Sequence, residues 1–150
     1  MSRRIVLSAV AGAAVLAGAG AFALAYAGDG APVLAHSTAR YTAPQGDRDG
    51  SFTFATEATA PSGLKSLKVL AWPEKSGLAG KPPTAEEMTR AEPARCKPAG
   101  GDTERCAYTV RVTAADAAEF PRGPWHVAVL ATDADGTTTL DTEAVDFTVG

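Results

Sequence analysis

Pro121-Arg-Gly-Pro-Trp125-His-Val-Ala-Val-Leu-Ala-Thr132, then Asp133-Ala-Asp-Gly136, then a run ending Ala144-Val-Asp-Phe-Thr-Val149, is the stretch that decides the fold. The first run alternates with period 2. Trp125, Val127, Val129 and Ala131 take one face, and His126, Ala128, Leu130 and Thr132 the other, as a β-strand requires. In the second run Val145, Phe147 and Val149 alternate with Ala144, Asp146 and Thr148, so the two form a hairpin. A two-residue loop would pair odd positions with even ones and set Val145 and Phe147 against the His126 face. A three-residue loop, Ala134-Asp135-Gly136, brings the apolar faces together, with Gly136 in the left-handed position of a type I turn plus bulge.

The N-terminus sets the compartment. Met1-Ser-Arg3-Arg4 is positive, and Ile5 to Ala25 is apolar apart from Ser8. Ala25-Tyr26-Ala27 then supplies an A-x-A site. This is the pattern of a secretory signal peptide over residues 1–27, cleaved before Gly28. A retained membrane anchor is the competing reading, since the run is about long enough to span a bilayer; the small residues and the cleavage site argue against it. A lipoprotein is excluded because Cys96 and Cys106 lie far from the N-terminus. Cleavage removes Arg3 and Arg4 and no acid, leaving 12 basic against 17 acidic side chains, a net charge of 12 − 17 = −5. That balance leaves no basic patch for nucleic acid.

Two cysteines outside the cytosol, with nine residues between them, predict one disulfide, Cys96–Cys106, that staples a loop. Closing it contributes about 3 kcal/mol on the chain-entropy model. A metal site is the weaker reading there, since no nearby His or third Cys completes a ligand set.

Along the chain, residues 28–39 read as a flexible small-residue tail and Arg40 to Pro44 as a first edge strand. Gly46-Asp-Arg-Asp-Gly50 is a turn. Ser51 to Thr56 follows as a strand with Phe52 and Phe54 inward. In Leu64 to Trp72, Leu67, Val69 and Ala71 share a face, while Leu70 and Trp72 join Lys68 on the other. Pro73 to Pro93 reads as an insertion, in which Thr84 and Glu87 form a capping box for a short helix to about Ala91, with Met88 and Ala91 inward. Cys106 to Thr113 alternates with Tyr108, Val110 and Val112 inward, and Thr113-Ala-Ala-Asp116 starts another helical turn. About seven short strands at hairpin spacing predict an all-β, immunoglobulin-like (fibronectin-like) β-sandwich over residues 40–150, with short helical insertions.

Ser62 to Pro73, Cys106 to Thr113 and Pro121 to Trp125 together resemble a family of small secreted actinobacterial proteins of unknown function with a predicted Ig-like domain. The likeness runs from about Tyr41 to Val149. It implies the sandwich and secretion. That family has no assigned activity, so no functional residue carries over.

Chemistry is sparse. Asp47-Arg-Asp49-Gly50 and Asp133-Ala-Asp135-Gly136 invite a weak calcium site, with Asp141 or Glu143 as helpers. Aligned to an EF-hand loop, however, position 1 falls on Gln45 or Ala131 and position 12 on Thr56 or Thr142, so key ligands are missing. Asp and Gly are what turns need in any case. No G-x-S-x-G is present and no serine has a neighbouring His, which argues against nucleophilic catalysis. Glu86-Glu87 on a short helix reads as a solvated surface pair. Trp125, in phase with Val127 and Val129, reads as core, whereas Trp72 before Pro73 is the candidate surface contact. The two histidines, His36 and His126, offer a copper site if cleavage falls after Ala35 and frees His36 as an N-terminal ligand.

The reading is thus a secreted, monomeric, non-catalytic Ig-like module without cofactor. It binds an extracellular protein or a cell-envelope component, not nucleic acid, and has no membrane attachment after signal cleavage. The alternative is a small metal-binding protein, with copper through His36 and His126 or calcium at the turns. N-terminal sequencing of secreted material is expected to begin at Gly28; a start at His36 with tight copper binding would reverse the choice.

Overall fold

The computed structural model describes residues 30–150. The signal peptide read at 1–27 and its cleavage after Ala27 lie outside the described residues. Two four-stranded antiparallel sheets form a sandwich. One runs in the order β1 (Val33–Thr42), β2 (Gly50–Thr59), β6 (Thr103–Val112), β5 (Arg95–Gly100); the other runs β4 (Glu92–Pro93), β3 (Leu64–Pro73), β7 (Gly123–Asp133), β8 (Thr138–Val149). These are the strand orders of a constant-type immunoglobulin sandwich, with a short extra strand, β4, beside β3.

Alternation builds the space between the sheets. Phe52 and Phe54 from β2, Leu67 and Val69 from β3, Trp125, Val127 and Val129 from β7, and Phe147 from β8 all lie in one core. Phe147 sits between two other core rings, 4.9 Å from Phe52 and 5.9 Å from Trp125 between centroids. The Trp125 indole N–H donates to the Pro121 carbonyl at 2.9 Å, so its one polar atom is satisfied inside the core.

The β7–β8 hairpin closes through the expected three-residue loop, with Asp133 N–H donating to Thr137 O and Gly136 at φ +85. Its register carries one feature beyond the turn. Val129 faces Asp141, but Val127 faces Val145, so a bulge over residues 142–144 moves the far half of β8 by two positions. The shift is even, so Val145, Phe147 and Val149 keep their inward face.

Three expectations need correcting. The stretch read as a flexible tail, 28–39, is strand from Val33 onward, and Val33, Leu34 and Ala35 pair with Thr59, Ala58 and Glu57. A bulge between Ala35 and Thr38, with His36 at φ +56, switches the inward phase from Leu34 to Ala39 and Tyr41, and so erases the period. The Cys96–Cys106 disulfide is present, but it joins register partners on β5 and β6 and staples a hairpin, not a loop. Trp72 is not a surface contact: it is 2 % exposed.

The reason lies in the insertion. α1 (Ala85–Met88) has the predicted Thr84–Glu87 capping box and places Met88 against Trp72, Ala128 and Leu130, forming a second apolar cluster on the outer side of the β3–β7 sheet. The Trp72 indole N–H donates to Thr142 O, inside the β8 bulge, at 3.2 Å. α2 (Ala114–Glu119) starts at the other predicted cap, where Thr113 and Asp116 hydrogen-bond reciprocally. The Thr113 N–H holds the Asp116 carboxyl below the usual range.

Both tryptophans are therefore core residues. Trp125→Ala and Trp72→Ala should each cost about 3–5 kcal/mol in urea melts; a small loss at Trp72 would mean that α1 does not cover the sheet.

Candidate functional site

The sandwich has two outer faces, and only one is covered. On the β1-β2-β6-β5 sheet the side chains opposite in phase to the core point outward, and among the described residues no helix packs over them. Registers align them in rows. Glu57 faces Arg105, which faces Lys97; Ala55 faces Ala107, which faces Arg95; Arg40 faces Thr53, which faces Thr109. Neighbours across strands are about 4.8 Å apart, and same-face neighbours along one strand about 7 Å.

Charge on this face is lopsided. Arg40, Arg95, Lys97, Arg105 and Arg111 share it with Glu57 alone among the acids, apart from Asp49 at the corner, which pairs with Arg111. Glu104 belongs to the inward phase of β6. Glu57 bridges two bases: its carboxylate lies 2.9 Å from His36 Nδ1 and accepts from Arg105 Nη2 at 3.2 Å. Those two hydrogen bonds hold the Glu57 carboxyl below its usual range, so it stays ionised. Among the described residues, no carboxylate lies within ion-pair distance of Arg40, Arg95 or Lys97.

Along β5 and β6 the face forms an open groove of about 820 Å³, whose lining includes Arg95, Lys97, Arg105, Ala107, Tyr108 and Thr109. Tyr108 borders the groove from the inward phase of β6, packed against the core, where burial first, and the nearby Glu92 charge second, push its phenol up to about 12. On the outer face the Thr53 and Thr109 hydroxyls approach to 3.4 Å. The net negative charge hid this face from sequence reasoning: the sum is acidic, yet strand register gathers five basic side chains on one sheet face. The missed signal was the β5–β6 hairpin, visible in two cysteines placed symmetrically about Gly100-Gly101-Asp102.

The other candidates separate. His36 lies on this face; His126 lies on the outer side of the opposite sheet, 8 % exposed, its ring 4.4 Å from Trp72 and its Nδ1 2.6 Å from Asp146. Two sheets stand between them, so the copper pair is not assembled. A cut after Ala35 would also remove three paired residues from β1. The two Asp-x-Asp-Gly turns sit at opposite ends of the sandwich, one joining β1 to β2 and the other β7 to β8. Asp133 is buried and spends Oδ1 on the N–H groups of Asp135 and Thr137. Asp141 likewise accepts from Glu143 N–H, while burial raises its carboxyl above the usual range. Glu87 is consumed by its capping box. No group of three His, Cys, Asp or Glu among the described residues could hold a metal ion.

Fold and face together define a class: an immunoglobulin-like β-sandwich with one covered and one open, cationic outer face. The chain belongs to a family of unknown function (DUF5707), whose model matches residues 34–131. No curated protein and no solved structure matches it.

Since Asp133 builds a turn, Asp133→Ala should cost about 1–3 kcal/mol, the scale of losing a buried hydrogen-bonding partner. Millimolar calcium should leave the wild-type Tm unchanged; a calcium-dependent rise lost in Asp133→Ala would restore the metal reading.

Proposed function

We propose that the protein is a secreted, non-catalytic binding module of the actinobacterial kind that its sequence resembles, which docks on a cell-envelope component through the open face of the β1-β2-β6-β5 sheet. The asymmetry of the sandwich carries this reading. One outer face is sealed by α1 over Trp72 and Leu130, while the other leaves Arg40, Arg95 and Lys97 solvated and, among the described residues, without acidic partners. Surface charge of one sign speeds encounter with an oppositely charged partner and makes the association salt-sensitive. The disulfide tethers β5 to β6, so the side chains along that hairpin keep a fixed spacing. Nothing in the reading requires a nucleophile, a general base or a metal.

Mature protein is expected to co-sediment with envelope fragments of the secreting host at low salt and to be released as salt rises. Failure to sediment at low salt would contradict the proposal.

A further inference from the structure

Resting on that reading, we infer that the β5–β6 groove holds one chain of an acidic polysaccharide, with sugar carboxylates on Arg95, Lys97 and Arg105 and sugar hydroxyls on Thr109. Like charges placed directly opposite in a sheet repel. Lys97 and Arg105 are such a pair, and Glu57 answers only Arg105. Arg95 stands two residues from Lys97 on the same face. The three cations therefore outline a track about 7 Å long, not a point. An anion lying along it offsets the repulsion that the fold leaves in place.

The groove also fits the rest of a sugar chain. It is open along its length and near the upper end of the size range for small-ligand sites, so a polymer can enter and leave it. Ala107 and Ala55 make a low floor between the charged side chains. The Thr109 hydroxyl, with the Thr53 hydroxyl beside it, can both donate and accept, which is what sugar hydroxyls require.

Other partners fit less well. Single-stranded nucleic acid is bound by stacking bases on exposed aromatics, and the only exposed large hydrophobic side chain among the described residues is Val33. A protein partner would need an apolar or aromatic centre to the contact, and a lone Val33 at the far end of β1 does not make one.

The test measures binding to fluorescent alginate oligosaccharides, with dextran, polyglutamate and an oligothymidylate of similar length as comparators. Alginate should bind, with affinity falling roughly twentyfold between 50 and 200 mM salt for about three charge contacts. The comparators should bind at least tenfold more weakly. Arg95→Glu with Lys97→Glu should lower alginate affinity at least tenfold while the Tm holds. Glu57→Gln should tighten binding, and Lys65→Glu, on the other sheet, should leave it unchanged. Equal binding of polyglutamate, oligothymidylate or dextran, or an equal loss in Lys65→Glu, would overturn the inference. Envelope sedimentation without alginate binding removes the polysaccharide and keeps the binding module; loss of both removes the module reading itself.

Discussion

Burial of β7 on both faces is the constraint on which the rest of the structure depends. Its inward side chains, Trp125, Val127 and Val129, fill the space between the sheets, while Ala128 and Leu130 on the reverse side lie under α1 with Trp72 and Met88. A strand apolar on both sides must be central and must be covered twice. The 73–93 insertion exists in physical terms to supply the second cover. Burying a side chain of this size contributes about 1.5–3 kcal/mol, so the insertion adds to stability and does not merely decorate a loop. By default the opposite sheet, whose outward residues are mainly Thr, Arg, Lys and Ala with Glu57 among them, is the face left to water.

Where local pattern and tertiary packing agreed, the sequence was legible. The inward sets Phe52/Phe54, Leu67/Val69/Ala71 and Trp125/Val127/Val129, both capping boxes and the Ala134–Gly136 turn all follow from period, cap chemistry or a positive φ at one glycine. Bulges hid the remainder. At His36 the chain changes phase within β1, so no single period spans Leu34 and Tyr41. At residues 142–144 β8 slips by two positions, which sets Asp146 beside His126 and offers the Thr142 carbonyl to Trp72. β5 was invisible for another reason: Arg95-Cys-Lys-Pro-Ala-Gly100 has little strand propensity, and its pairing with β6 and the disulfide hold it in the sheet.

The candidate site was the least legible part, because net charge is a sum and recognition depends on distribution. Twelve of the basic residues remain after Arg3 and Arg4 are set aside, fewer than the acids, yet register gathers Arg40, Arg95, Lys97, Arg105 and Arg111 on one sheet face. The acids lie mainly elsewhere, in the insertion, in α2 and along β7 and β8. Only pairing across three strands reveals that Glu57, Arg105 and Lys97 share one row. Conversely, the residues that looked chemical in sequence, the histidines and the Asp-x-Asp-Gly turns, resolve into local structure: His126 against Trp72 and Asp146, Asp133 in its own turn.

Amide chemical-shift mapping during titration with alginate oligosaccharides tests the central claim most directly, because it reports which face is occupied without altering the protein. The account predicts that the largest shifts fall on Arg95–Lys97 and Arg105–Thr109, with the outer side of the β3–β7 sheet unchanged. Shifts centred instead on the 60–63 and 134–137 loops would contradict it, placing recognition at the end of the sandwich and leaving the open sheet face without a role.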